Sequence, residues 1–130
     1  VEDIGIVLGS AVKKALKERK GIRRFGYAIT PMDDALSLVS IDISGRGVVA
    51  AKMKFAEERI GDLATGLIPH FLQSFGSNSG VNLHARILSG IDDHHKAESL
   101  FKALGLALRQ AVEIDERRSG EIPSQKGVLD

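Results

Sequence analysis

The feature that most constrains the fold is the order in which the spacing of apolar residues changes between the helical and the strand pattern along the chain. Apolar residues recur at helical spacing over residues 2–17 and then alternate with polar residues, as in a strand. In the clearest strand, Val39, Ile41 and Ile43 alternate with polar residues. The order is a helix (2–17), strands (22–29, 35–44 and 48–54, with a loop at 30–34), a helix (63–75), a strand (81–88) and a last helix (from 94). It predicts an α+β fold whose helices pack on one face of a four-stranded, antiparallel-rich sheet.

Composition narrows the classes of function. Eighteen basic and 17 acidic residues give a net charge of +1, which provides no overall field to attract nucleic acid or an anionic membrane. The absence of cysteine excludes disulfides and thiolate chemistry and fits a cytoplasmic protein. No apolar run approaches the roughly 20 residues of a membrane-spanning helix. We therefore expect a cytoplasmic protein without nucleic-acid or membrane partners, whose chemistry depends on histidine, carboxylate, lysine and arginine.

The pentapeptide His94-His95-Lys96-Ala97-Glu98 opens the last helix. Each histidine lies three or four residues before Glu98, so each imidazole can share a helix face with that carboxylate. The two imidazoles diverge by about 100°, and could serve two different metal ions. Imidazole with carboxylate suits Mn, Fe, Zn or Ni. The alternative is a solvated histidine pair at a helix start that Asp92 or Asp93 merely caps.

Eight blocks of sequence, in order from Val1 to Leu129, carry a family resemblance. They are Val1-Glu2-Asp3, Gly21-Ile22-Arg23-Arg24-Phe25-Gly26, Pro31-Met32-Asp33, Ser44-Gly45-Arg46, Asn82-Leu83-His84, His94-His95-Lys96-Ala97-Glu98, Phe101-Lys102-Ala103 and Pro123-Ser124-Gln125-Lys126-Gly127-Val128-Leu129. Together they resemble the imidazoleglycerol-phosphate dehydratases, which are lyases of histidine biosynthesis. Eight ordered blocks are far more specific than one short motif.

The resemblance implies an architecture of two similar repeats, each like the second domain of ribosomal protein S5 and each ending in a helix that opens on His-His-x-x-Glu. Residues 1–20 would be the last helix of a first repeat that is otherwise missing, with Glu2 as its motif carboxylate. The matching histidine pair would directly precede Val1. Residues 21–115 would form a complete second repeat and residues 116–130 a substrate-binding tail, all within one domain.

The resemblance also implies roles for single residues. The metal ligands would be Glu2, His70, His94, His95 and Glu98, which would hold two Mn²⁺ ions per subunit. The substrate phosphate would be bound by Arg24, Arg46, Ser124 and Lys126, with Gln125 contributing from the same loop. We favour a structural or hydrogen-bonding role for His84. Lys102 would contact the substrate, although it could instead be only an ion-pair partner of Glu98. Asp33 is a candidate for contacting the reacting region of the substrate, or a turn-forming aspartate.

The implied reaction removes water from D-erythro-imidazole-glycerol phosphate and yields imidazole-acetol phosphate. Two metals would hold the substrate imidazole as imidazolate, and Glu98 would move the proton. The family's trimers that assemble into 24-subunit particles imply a homo-oligomer. One alternative is a non-catalytic metal- or phosphate-binding module of the same fold. RNA binding, suggested by the ribosomal fold, is a second alternative, against which the neutral charge and the single tyrosine, Tyr27, argue.

Overall fold

The computed structural model describes residues 2–17 and 21–118. Its helices are α1 (Glu2–Leu16), α2 (Leu67–Ser79) and α3 (Asp93–Val112), and its strands are β1 (Phe25–Met32), β2 (Ala35–Asp42), β3 (Val49–Lys52), β4 (Arg59–Ile60), β5 (Leu63–Ala64) and β6 (Asn82–Ser89). Four strands form one sheet in the order β1-β2-β6-β3, and β4 pairs only with β5. Strand β2 is antiparallel to β1 and β6, whereas β3 is parallel to β6. The predicted α+β class is confirmed.

The core lies between one face of the sheet and helices α2 and α3. Val39 and Ile41 of β2 are fully buried, and Ser40 between them faces outward, as strand alternation requires. On the helix side, Leu72 of α2 and Leu100 of α3 are also fully buried. The periodicities read from the sequence therefore identify the two surfaces that meet in the core.

Helix α1 packs on α2 rather than on the sheet. A Cβ atom at Gly5 would lie 3.0 Å from the Phe71 carbonyl oxygen, and one at Gly9 would lie 2.7 Å from that of Phe75. These contacts advance along both helices in the same direction, so α1 and α2 run parallel. The opposite side of α1 leaves apolar side chains such as Val7 exposed.

The bounds predicted for the first strand were wrong at both ends. Strand β1 continues through Thr30, Pro31 and Met32, which were predicted to be a loop. A proline is tolerated there because β1 is an edge strand and needs fewer backbone donors. The turn is confined to Asp33 and Asp34, since Met32 already pairs with Ala35.

At the start of the same segment, the backbone bonds to a helix instead of continuing the strand. The backbone N–H groups of Arg23 and Arg24 donate to the carbonyl oxygens of Glu113 and Ala111, at 2.9 Å each. The β1 strand can begin only at Phe25, beyond these bonds. Residues 22–24 are thereby attached to the C-terminal end of α3.

Helix α2 begins later than predicted because Leu63 belongs to the β4–β5 hairpin. It ends as predicted, at the left-handed Gly80, whose N–H donates to the Gly76 carbonyl oxygen. Among residues 2–17 and 21–118, no helix is both long enough and apolar enough to cross a membrane.

Candidate metal and substrate site

The predicted metal ligands lie at the N-terminal ends of three helices. Glu2 begins α1, His70 is in the first turn of α2, and His94 and His95 are in the first turn of α3. Helices α1 and α2 run parallel, so Glu2 and His70 are at the same end. Thr65, two residues before α2, and Asp93, in the first turn of α3, both form hydrogen bonds with the backbone of residues 56–58. The starts of α2 and α3 therefore lie at that end as well. We refer to it as the histidine end of the molecule.

Two aspartates of the β1–β2 turn hold the imidazole of His95. Its Nδ1 atom lies 2.6 Å from Asp34 Oδ1, and its Nε2 atom lies 3.3 Å from Asp33 Oδ2. With Nδ1 donating to Asp34, Nε2 is the nitrogen that a metal ion or a substrate could approach, in place of its contact with Asp33. The bond to Asp34 raises the pKa of His95 above its ordinary value.

Asp34 also anchors the backbone that leads into α3. Its Oδ2 atom accepts hydrogen bonds from the N–H groups of Ile91, at 2.6 Å, and Asp92, at 3.0 Å. These bonds, together with the one from His95, hold the pKa of Asp34 far below its ordinary value. Sequence reasoning missed Asp34, because in a tight turn an aspartate is already explained by turn formation. Its position beside Asp33 was the only available signal.

A second set of side chains, His94, Glu98 and Lys102, lies at one-turn intervals along α3. His94 Nε2 lies 3.1 Å from Glu98 Oε2, and Lys102 Nζ lies 3.1 Å from Glu98 Oε1. The ion pair predicted as one of two roles for Lys102 is therefore present. Lys102 lowers the pKa of Glu98, so Glu98 is an ionised carboxylate at neutral pH.

The two arginines predicted to bind phosphate lie at the opposite end of the folded molecule from the histidines. The Arg24 N–H bonds to Ala111, which is 16 residues beyond His95 on α3. At about 1.5 Å per helical residue, this spacing corresponds to about 24 Å. Arg46 is exposed in the loop from β2 to β3, and the adjacent Gly47 packs against the end of α2 at Ser77. Within one chain, both arginines therefore lie far from the histidine end. We refer to the end that carries Arg24 and Arg46 as the arginine end.

Arg24 already forms a two-pronged ion pair within the chain. Its Nε atom donates to Asp42 Oδ1 at 2.6 Å, and its Nη2 atom donates to Oδ2 at 3.2 Å. The guanidinium also lies 4.9 Å from the centre of the Phe25 ring. These contacts hold the guanidinium at the start of β1.

The other candidates are more dispersed. His84 is exposed on the outer face of the sheet, between Ser40 of β2 and Ala50 of β3. The predicted phosphate-binding residues of the tail lie outside the described residues; they are Ser124, Gln125 and Lys126.

The donor types at the histidine end fit a manganese ion, because imidazole and carboxylate are both suitable ligands. His94 and Glu98 form one set of such groups, and His95 with Asp33 and Asp34 forms a second set. Within residues 2–17 and 21–118, no three histidine or carboxylate side chains are close enough to hold a metal ion together. Each set could supply only part of a coordination sphere, and the remaining donors would have to come from beyond the described part of one chain.

Comparisons with known proteins identify the family and the fold of this chain. The family model for imidazoleglycerol-phosphate dehydratase matches residues 1–108. Imidazoleglycerol-phosphate dehydratases from Moorella thermoacetica and Clostridium botulinum are 56% and 51% identical over 129 residues, which is 99% of this chain and 65% of each relative.

Two solved structures share the fold. The dehydratase from Pyrococcus furiosus, in complex with (S)-C348, aligns with a TM-score of 0.84 and 41% identity over 98% of this chain and 69% of that one. The enzyme from Staphylococcus aureus aligns with a TM-score of 0.84 and 34% identity over 87% of this chain and 66% of that one. The chain thus spans about 65% of the length of the relatives named above, and it belongs to the imidazoleglycerol-phosphate dehydratase family.

Proposed function

We propose that this chain is part of an enzyme that dehydrates D-erythro-imidazole-glycerol phosphate to imidazole-acetol phosphate, in the cytoplasm, for histidine biosynthesis. The observation that carries the proposal is the geometry of the histidine end. There, Asp34 orients His95 through Nδ1, Nε2 is the nitrogen that would bind the metal, and Glu98, the base candidate, is an ionised carboxylate beside His94. Family membership supplies the reaction class, and these contacts suit its chemistry.

The proposed metal ligands are Glu2, His70, His94, His95 and Glu98, which would hold two Mn²⁺ ions per subunit together with donors from outside the described residues. When bound, manganese would act as a Lewis acid that stabilises the imidazolate form of the substrate ring. Asp34 contributes by fixing the orientation of the His95 ring, as carboxylates do for histidine ligands in metal sites.

The chain's own acid–base chemistry centres on Glu98. Dehydration breaks a C–H and a C–O bond: a base takes the proton, the C–H electron pair forms the new C=C bond, and the hydroxyl leaves with the C–O pair and takes up a proton to become water. The enol that results tautomerises to the ketone of imidazole-acetol phosphate. Glu98 is the proposed base, because it is an ionised carboxylate that lies one helical turn from His94 and contacts that imidazole at 3.1 Å. We place Lys102 and Asp33 against the substrate, since both reach the surface beside this carboxylate and the His95 ring.

Phosphate binding is assigned to the arginine end, through Arg24 and Arg46 with Ser124, Gln125 and Lys126 of the tail. Guanidinium groups suit phosphate oxygens because they donate two parallel hydrogen bonds. The separation of about 24 Å along α3 is much longer than a six-carbon phosphate ester. We therefore propose that each active site combines the histidine end of one chain with the arginine end of another. A homo-oligomer, with the trimers and 24-subunit particle that the resemblance implies, would supply such contacts.

The test uses the full-length protein and its His95→Ala variant. We expect about two Mn²⁺ ions per subunit and turnover of the substrate in the wild type, and loss of both metal and turnover in the variant. Arg86→Ala is a suitable control, because Arg86 is an exposed arginine in the middle of β6, away from both the histidines and the predicted phosphate-binding arginines. Full turnover by His95→Ala would contradict the assignment. Manganese and phosphate binding without turnover in the wild type would instead identify a non-catalytic binding module.

A further inference from the structure

Asp93, directly before the two histidines, is a buried carboxylate that binds a distant segment of backbone. Its side chain is only 6% exposed. Oδ1 accepts a hydrogen bond from the Ala56 N–H at 2.9 Å, and Oδ2 accepts one from the Glu57 N–H at 2.7 Å. The first turn of α3 is thereby attached to the connection between β3 and β4.

Lys96 makes a second attachment to the same connection. Its side chain is 10% exposed, and its Nζ atom donates to the Lys54 carbonyl oxygen at 3.1 Å and lies 3.5 Å from Asp93 Oδ1. Burying two charges is costly unless they are paired and hydrogen-bonded, and an apolar pair would often stabilise a fold equally well. The retained ion pair thus adds a directional restraint that packing alone would not supply.

Thr65 continues this attachment to the start of α2. Its Oγ1 atom donates to the carbonyl oxygen of Glu57 at 2.8 Å, and its N–H donates to that of Glu58 at 2.9 Å. The Thr65 carbonyl oxygen then accepts the N–H of Ile68 at 3.1 Å, in the first turn of α2. Hydrogen bonds and short stretches of covalent backbone therefore connect the first turn of α3 with the first turn of α2.

We propose that Asp93, Lys96 and Thr65 form a bridge through residues 54–58 that fixes the His94-His95 turn relative to His70. They are positioning residues: in the proposed site they contact neither metal nor substrate, but they hold the two helices that carry the ligands. The role of the histidines as ligands rests on the proposed function, whereas the bridge between the helices does not.

The first test measures manganese binding by full-length Asp93→Asn. The variant keeps the shape of the side chain but replaces one acceptor oxygen with an NH₂ group, which must face a backbone N–H or Lys96. We expect the affinity for Mn²⁺ to fall by about 10-fold, the lower end of the loss seen when direct partners of metal ligands are removed, because Asp93 acts through the backbone and not on a ligand side chain. The number of bound ions should be unchanged at saturation. A lower melting temperature with unchanged Mn²⁺ affinity would show a purely structural role and overturn the proposal.

Thr65→Val tests the other side of the bridge, by itself if Asp93→Asn does not fold and also in a double variant if it does. Valine closely matches threonine in shape and removes only the hydroxyl donor. We expect a smaller loss of Mn²⁺ affinity, and a double variant whose loss is less than the sum of the two, because both changes interrupt one bridge. Additive losses would mean that the two residues act independently and would contradict the bridge.

A measurement without metal separates this proposal from the proposed function. In metal-free protein, Asp93→Asn should accelerate hydrogen exchange at the Ile68 amide, although the change lies on another helix. Glu58→Gln is the matched control, since the exposed Glu58 side chain makes no hydrogen bond or ion pair within the described residues. Unchanged exchange at Ile68 in Asp93→Asn would overturn the bridge. Failure of the wild type to bind Mn²⁺ would refute the proposed function and leave this result interpretable.

Discussion

At the scale of single residues, one carboxylate links a ligand to its supporting backbone. Asp34 binds His95 with one oxygen and the N–H groups of Ile91 and Asp92 with the other. In metal-free protein, the raised pKa of His95 means that this contact stabilises the fold at pH values below the ordinary histidine pKa. That contribution is lost as the pH rises through the raised pKa.

Metal binding should show the opposite pH dependence, because a metal ion competes with the proton for the imidazole. We expect Mn²⁺ affinity to fall as the pH drops through a value above 6.5, the ordinary histidine pKa. In Asp34→Asn the pKa of His95 should return towards that value, so the affinity for Mn²⁺ should begin to fall at a lower pH. The highest affinity of this variant should also be weaker than that of the wild type. Titrations with Mn²⁺ across neutral pH would check this, and an identical midpoint in both proteins would contradict it.

Thr30 offers a residue-scale test of stability. Its Oγ1 atom is buried and has no hydrogen-bond partner within the described part of the chain. Thr30→Val removes that hydroxyl while nearly preserving shape, so we expect the free energy of unfolding to rise by about 1 kcal/mol. Chemical denaturation would measure the change, and a loss of stability would show that the hydroxyl is satisfied in solution.

At the scale of elements, the close contact between α1 and α2 should not tolerate a larger residue. A Cβ at Gly9 would lie 2.7 Å from the Phe75 carbonyl oxygen and 3.0 Å from the Ser79 nitrogen. Gly9→Ala should therefore push the two helices apart and lower the free energy of unfolding by about 1–3 kcal/mol.

Gly105→Ala, on α3, is the matched control for Gly9→Ala. Gly105 is exposed in α3, and an added Cβ there would meet nothing within 4 Å. The same substitution should raise the free energy of unfolding by up to about 1 kcal/mol, because alanine favours the helix. Changes of the same sign at both positions would show that packing between α1 and α2 does not determine the effect at Gly9.

At the scale of the whole molecule, the separation of the two ends makes a prediction about subunit mixing. His95→Ala and Arg46→Ala should each abolish most turnover when assembled alone. If each site combines the histidine end of one chain with the arginine end of another, coexpressed variants should regain activity, because some sites then contain neither change. Turnover by copurified mixed oligomers would measure this. Absence of recovery, with mixed assembly verified by mass, would place each complete site within one chain.

Much of the fold could be predicted because its signals are local. Spacing identified α1 and α3, the alternation in β2 identified its buried face, and the glycine after α2 identified its end. The predicted helix cap is also present, since Asp92 accepts the His95 N–H. The errors at β1 and α2 arose where distant pairing overrode local preference, as in the β4–β5 hairpin that took Leu63.

The sequence by itself determined the α+β class, the family resemblance and which residue types could carry the chemistry. Only the tertiary structure decided which of them meet: Asp34 reaches His95 across 61 residues, and Asp93 reaches Glu57 across 36. It also decided that Arg24 and Arg46, predicted to bind the substrate phosphate, lie far from the histidines of the same chain. The reason is physical. Periodicity records which side of an element is buried, whereas contacts between elements depend on how the sheet and helices pack together.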